Sequence, residues 1–259
     1  MKQHRVRIFL LRRRWAAAVL ILLGCGLLAA AMGLPAAVTA SAPQRQLPIY
    51  SVERPKKLCA ISFDAAWGAD QTQTILDTLA KYDVKATFFV VGRWAEEFPD
   101  QVKAIHEAGH EVMNHSDGHG HYNTMTADEI TADLRRCNQK VAAITGKTPT
   151  LVRCPYGEFD DHVIAAVRSL GMEPIQWDVD SLDWKKIPAD QITERVTEKL
   201  RPGSIVLFHN AAPHTPQALP EILTFMIHDG YTIVPISQLI YPADYTIDHT
   251  GRQFSAQTK

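Results

Sequence analysis

Two histidines four residues apart, His115 and His119, stand in the run NHSDGHGH. On a helical turn that spacing aims two imidazoles at one point, as a Zn²⁺ ion requires. The same run would also serve as a polar surface turn with idle histidines. Three histidines within seven residues, His115, His119 and His121, directly after an extended stretch, favour the metal role. Asp64 closes an apolar run in SFDAAWG, where a carboxylate at a strand mouth can act as base or ligand. A helix cap or turn is its plainer use. Arg153 in RCPYG precedes a Pro-Tyr-Gly turn, placed either to brace a carboxylate or to sit in a surface ion pair. His209 follows SIVLF at once, a place where a lone His is more often structural. Asp183-Trp184 closes WDVDSLDW, three acids within six residues. Such carboxylates need an arginine, a metal, an imidazolium or bulk water as partner.

The elements between these residues alternate in period. Leu58–Phe63, Lys85–Val91, Glu111–Asn114, Leu151–Arg153, Pro174–Val179, Ser204–Phe208 and Tyr231–Pro235 are short apolar or β-branched runs, expected as strands. Helical spacing separates them over 71–81, 98–108, 126–145, 160–170, 188–200 and 216–228. Thr126 with Glu129 forms a capping box, and Gly146 is the matching stop. This rhythm predicts an α/β fold with parallel strands, a barrel or a doubly wound sheet. No Gly-rich phosphate loop supports a nucleotide fold. In a β/α barrel the chemistry gathers at the C-terminal strand ends, where Asp64, His115, Arg153, the 178–183 acids and His209 all fall.

The chain has 259 residues and a net charge of -1. That near-neutrality hides a basic leader on an acidic body. Residues 1–42 carry six bases and no acid; without them 21 bases face 28 acids, a net of −7. Such a body is not expected to bind nucleic acid. Residues 2–14 are basic and 15–38 carry no charge, the pattern of an export signal long enough to span a bilayer. The expectation is a membrane anchor over 1–42 with the body outside the cytoplasm, or a secreted body if cleavage occurs near Ala40-Ser41-Ala42. Residues 43–57 read as a linker, 58–241 as the working domain and 242–259 as a polar, frayed tail. A monomer is expected. The four cysteines are too few for a disulfide scaffold, and Cys59, Cys137 and Cys154 of the body carry no expected thiol chemistry.

Taken in order, SFDAAWG, HSDGH, RCPYG, DSLDW and LFH resemble the five motifs of polysaccharide deacetylases, the NodB-homology domains of carbohydrate esterase family 4. The likeness covers about residues 57–241. The Trp67-Gly68 ending of the first motif is similar to the PdaB-like sporulation deacetylases. The resemblance implies a distorted (β/α)7 barrel with an open groove. It implies hydrolysis of acetamido groups on a cell-wall glycan, of peptidoglycan type. By that likeness Asp64 is the general base, Arg153 orients it, and His115 and His119 hold a divalent metal, commonly Zn²⁺. The Tyr156 backbone N–H serves an oxyanion, His209 is the general acid kept charged by Asp183, and Leu207 and Trp184 flank the acetyl methyl.

The first motif departs from the family. Two adjacent aspartates are usual, and here Ala65 takes the second place. A catalytic Zn²⁺ normally has three protein ligands, so Asp70, Asp117, His121 or Asp64 itself would have to stand in, and weaker metal binding is expected. Two other functions stay open: a glycan-binding module with a decayed metal site, and a small-amide hydrolase. An open groove lined by Trp67, Trp94 and Trp184 would favour glycans; a deep closed pocket would favour small amides.

Overall fold

The computed structural model describes residues 45–256; the basic stub, the apolar run and the 40–42 cleavage candidate lie outside them. The central sheet is built from β2 (Leu58–Ala65), β3 (Thr87–Val90), β4 (Glu111–Asn114), β5 (Leu151–Val152), β6 (Glu173–Pro174), β7 (Val179–Asp180) and β8 (Ile205–His209). Their order is β6-β5-β4-β3-β2-β8-β7, each neighbouring pair is parallel, and an eighth strand, β9 (Thr232–Ile233), pairs in parallel with the start of β2. Helices α1 (Thr72–Lys81), α2 (Gly92–Glu97), α3 (Pro99–Glu107), α4 (Ala127–Thr145), α5 (Asp161–Ser169), α6 (Ala189–Lys199) and α7 (Thr215–His228) fill the crossovers. This is the expected α/β barrel, left open between β6 and β7. No helix joins those two strands; residues 175–178 carry the chain straight from one sheet edge to the other.

Strand alternation sorts the side chains into two layers. On β2, Cys59, Ile61, Phe63 and Ala65 join the apolar cluster under the helices, while Ala60 belongs to the cluster inside the barrel. Phe63 stacks on Phe88 and Phe208, at 4.9 and 5.5 Å between centroids, and locks three strands together. The inner face of β2 is Ala60, Ser62 and Asp64, so the period that buries Phe63 also delivers Asp64 to the barrel mouth. Helix α4 starts as its sequence predicts: Thr126 accepts from the Glu129 N–H, the Glu129 carboxylate takes the Thr126 N–H, and left-handed Gly146 stops the helix.

The run expected as one strand over Pro174–Val179 is broken into β6 and β7 at opposite sheet edges, and two further segments differ from expectation. The linker is not a free tether from residue 49 onward. Ile49 is fully buried, pairs with Ile175 and occupies the open seam. β1 (Ser51–Val52) then runs beside Gly203, where the Val52 N–H donates to the Gly203 carbonyl at 2.9 Å. A Cβ on Gly203 would stand 1.6 Å from the Val52 carbonyl oxygen, so only glycine admits this approach. The tail is not frayed either. β10 (Tyr245–Ile247) and β11 (Arg252–Ser255) form a hairpin, and β11 pairs in parallel with β1. Among the described residues no helix is long and apolar enough to cross a membrane.

Candidate active site

Asp64 and His209 are register partners on adjacent strands β2 and β8, so their side chains rise next to each other on the inner face. Each has its own support. The Arg153 Nη1 donates to Asp64 Oδ1 at 2.7 Å, with both side chains buried. The second arm of that guanidinium reaches the Gln176 carbonyl at 3.2 Å, and its carbon lies 4.2 Å from the Phe89 ring centroid. With the Trp177 ring centroid 5.4 Å from the same carbon and the side chain fully buried, Arg153 is packed on two aromatic rings beside the carboxylate. On the other side, His209 Nδ1 donates to Asp183 Oδ1 at 2.7 Å, and the His209 N–H donates to Asp183 Oδ2 at 2.8 Å. The Thr215 hydroxyl adds a third donor to Asp183, at 2.6 Å. Nδ1 being engaged, His209 presents Nε2 to the site.

Charges set these two groups apart. Burial alone would raise the Asp64 carboxyl, but the Arg153 guanidinium, with the positive side of His209 behind it, overcomes burial and holds Asp64 below the usual carboxylate range. Burial would lower His209, but the Asp183 hydrogen bond and charge, with Asp64 and Asp180 behind them, leave it raised. The site therefore sets an ionised carboxylate beside an imidazole whose protonated form its neighbours favour.

His115 and His119 meet with ring centroids 5.0 Å apart, on an irregular loop rather than the helical turn their spacing suggested. That loop is pinned from within. Asn114 Oδ1 accepts the Ser116 N–H at 2.7 Å, and the Ser116 hydroxyl accepts the His119 N–H at 2.8 Å. From α4, Asp133 accepts the Asp117 N–H at 2.9 Å and the Tyr122 hydroxyl at 2.7 Å. His115 Nδ1 donates to the Arg153 carbonyl at 2.7 Å, which leaves Nε2 as a lone-pair donor, 3.5 Å from Asp64 Oδ2. His119 Nδ1 is buried and has no partner. Burial is the largest influence on both imidazoles and lowers both, His119 to about 4, so both are neutral and able to ligate at neutral pH.

The stand-in ligands fare differently. Asp117 turns away from the histidines into ion pairs with Lys140 at 2.8 Å and Arg136 at 3.2 Å. His121 stacks on Tyr156, 4.2 Å between centroids, and bonds Glu158 at 3.0 Å. Asp70 is exposed. Ala65 is fully buried among apolar neighbours. Among the described residues no three His, Cys, Asp or Glu side chains converge as a metal-holding group. The donors that fit an ion are the two neutral imidazoles, one with an unsatisfied buried nitrogen.

Tyr156 sits at φ +59, and its backbone N–H donates to no backbone carbonyl. Its turn is held by the Gln176 side chain, which donates to the Gly157 carbonyl at 3.0 Å. Leu207 is buried two residues before His209 on the same strand face, and Trp184 is exposed. Trp94 is a correction: it is buried core, not groove lining, and its Nε1 donates to the Gly68 carbonyl at 2.7 Å. Sequence reasoning missed Thr215, Gln176 and Asp133, which touch the site only through other residues. Among the described residues, Cys59, Cys137 and Cys154 are buried free thiols, pushed by burial up to about 12, and are inert.

Residues 51–175 match the family profile described as polysaccharide deacetylase. The chain is 32% identical over 190 residues to the peptidoglycan-N-acetylmuramic acid deacetylase PdaA of Bacillus subtilis, covering 72% of each chain. The chain belongs to the polysaccharide deacetylase family. This deacetylase-family chain spans 60% of the B. subtilis relative YlxY, at 31% identity, and 74% of this chain is covered by that match. Among solved structures it is similar to a CE4 family pseudoenzyme from Bacillus anthracis, with TM-score 0.72 and 37% identity over 74% of this chain and 68% of that one. A mutant of that pseudoenzyme is described as having restored enzymatic activity. The peptidoglycan deacetylase PdaC of B. subtilis superposes with TM-score 0.66 and 33% identity, covering 73% of this chain and 92% of that one.

Proposed function

We propose that this chain is a metal-assisted hydrolase that removes N-acetyl groups from a peptidoglycan-type glycan outside the cytoplasm. The observation that carries this reading is the pair of register partners Asp64 and His209, one ion-paired with Arg153 and the other hydrogen-bonded to Asp183. A binding module has no use for a buried base, its brace and a supported acid on neighbouring strands. Asp64 takes a proton from the attacking water, and His209 Nε2 gives one to the leaving amine. The Tyr156 N–H donates to the oxyanion, a contribution of about 3 kcal/mol in comparable sites. His115 and His119 would hold the ion, whose chemistry is to polarise the acetamido carbonyl and the water. Leu207 and Trp184 flank the acetyl methyl. The Trp67-Gly68 form of the first motif supports a place among the sporulation deacetylases, and the basic and apolar leader supports an exported chain, membrane-anchored or secreted.

Acetate release from purified peptidoglycan, with and without Zn²⁺ or Co²⁺, tests the reading. Asp64→Asn and His209→Ala are each expected to lower the rate about 10²–10⁴-fold. Calorimetric titration with Zn²⁺ is expected to show binding weaker than nanomolar, because two imidazoles are one ligand short of the usual catalytic set. Nanomolar affinity would contradict that count.

Ala65 favours a second reading, a weakened or inactive homologue that holds glycan without turnover. A wild-type chain that binds peptidoglycan but releases no acetate under any divalent metal would establish it.

A further inference from the structure

The helix-free crossing from β6 to β7 carries Gln176, which is buried and engaged in three directions. Its backbone N–H donates to the Ile49 carbonyl at 2.7 Å. Its backbone carbonyl accepts from Arg153 Nη2 at 3.2 Å, while Nη1 of the same guanidinium holds Asp64. Its side-chain Nε2 donates to the Gly157 carbonyl at 3.0 Å. The turn it grips is a strained one. Tyr156 and Gly157 are consecutive left-handed residues, at φ +59 and +68, closed by the Glu158 N–H on the Pro155 carbonyl at 3.1 Å. Glycine takes that conformation freely, but the Cβ of a tyrosine crowds its own backbone there. Among the described residues no side chain other than Gln176 hydrogen-bonds the backbone of 155–158. A Cβ on Gly157 would stand 3.0 Å from the Trp177 ring and 3.5 Å from Gln176 Oε1, so the turn is seated closely on the crossing.

We propose that Gln176 is a positioning residue that sets the oxyanion turn in register with the base. The proposal rests on the deacetylase reading above. The Tyr156 N–H has to meet the oxygen of the same carbon that receives the water activated by Asp64. Donor and carboxylate therefore need a fixed separation, and an error of about 1 Å in such an arrangement is felt strongly in the rate. Gln176 fixes that separation because one residue holds both sides. Its carbonyl is bonded to the arginine that carries Asp64, and its amide is bonded to the turn that carries the Tyr156 N–H. Ile49 in turn holds Gln176, so the segment filling the open seam belongs to the same support. Gln176 itself touches no reacting atom.

Gln176→Met keeps the length of the side chain and removes its donor. The full chain carrying it is compared with wild type by acetate release from peptidoglycan and by urea unfolding. The variant is expected to lose about 10–10²-fold in kcat with KM unchanged, because the turn serves the transition state rather than the bound glycan. Gln176→Glu supplies a second readout. Its carboxylate cannot donate to the Gly157 carbonyl, but its protonated form can, so the ratio of its kcat to that of Gln176→Met should rise as the pH falls. An unchanged kcat in Gln176→Met, a loss confined to KM, or a loss that only follows the folded fraction overturns the role and leaves the deacetylase reading standing. A flat Glu-to-Met ratio across pH overturns it also. A wild-type chain that releases no acetate under any divalent metal removes the deacetylase reading and this role with it.

Discussion

Asp183 makes no contact with substrate in the proposed reaction, yet it decides the charge of the residue that does. With His209 raised above its ordinary value and Asp64 lowered below its own, kcat/KM is expected to be bell-shaped. The acid limb follows protonation of Asp64, and the alkaline limb follows loss of the His209 proton. Asp183→Asn removes the charge that keeps His209 protonated, so its alkaline limb should move to lower pH, with roughly tenfold or greater loss of activity near neutrality. An unmoved limb would show that His209 is not the acid. At this scale the sequence was most informative where a residue's own type carries the chemistry, as with Asp64, Arg153 and His209. It was least informative for Thr215 and Gln176. A threonine that donates to Asp183 and a glutamine that joins Arg153 to the Gly157 turn look, in sequence, like any other Thr and Gln. Trp94 misled for the related reason that an indole's type does not say which side of a helix it faces.

The loop from His115 to His121 has no regular structure, and its order comes from the elements beside it. Its Ser116 and Asp117 carbonyls accept the N–H groups of Gly92 and Arg93, and Asp133 and Lys140 of α4 hold its Asp117 end. A Cβ on Gly92 would lie 2.2 Å from Asp117 Oδ1 and 3.2 Å from the Asp117 Cα. Gly92→Val should therefore displace the loop that carries both imidazoles. The expected cost is about 1–3 kcal/mol in urea unfolding, with a fall in Zn²⁺ affinity measured by calorimetry. Unchanged affinity would mean the loop holds its shape without α2. The sequence predicted the ends of α4 well, because caps are local. It placed the histidines on a helical turn, because spacing alone cannot distinguish a turn of helix from a loop tied down by distant partners.

On the scale of the whole body, parallel strands and their crossovers were legible from alternating periods, since each strand pairs with neighbours of similar apolar pattern. The break between β6 and β7 was not, for it depends on a segment more than a hundred residues away. Ile49 fills that break, its carbonyl accepting the Gln176 N–H at 2.7 Å. Ile49→Ala should cost about 2–5 kcal/mol in denaturant unfolding. The hairpin of β10 and β11 did leave a signal, the Asp248–Gly251 turn between two alternating runs, which polar composition obscured. Its pairing with β1 joins Ser51 to Arg252. A chain threaded through a membrane pore with its leader first would deliver Ser51 about two hundred positions before its mate. Closure of the body would thus wait on the last stretch to emerge, and a nascent chain still short of that point would have its earliest strand without a partner.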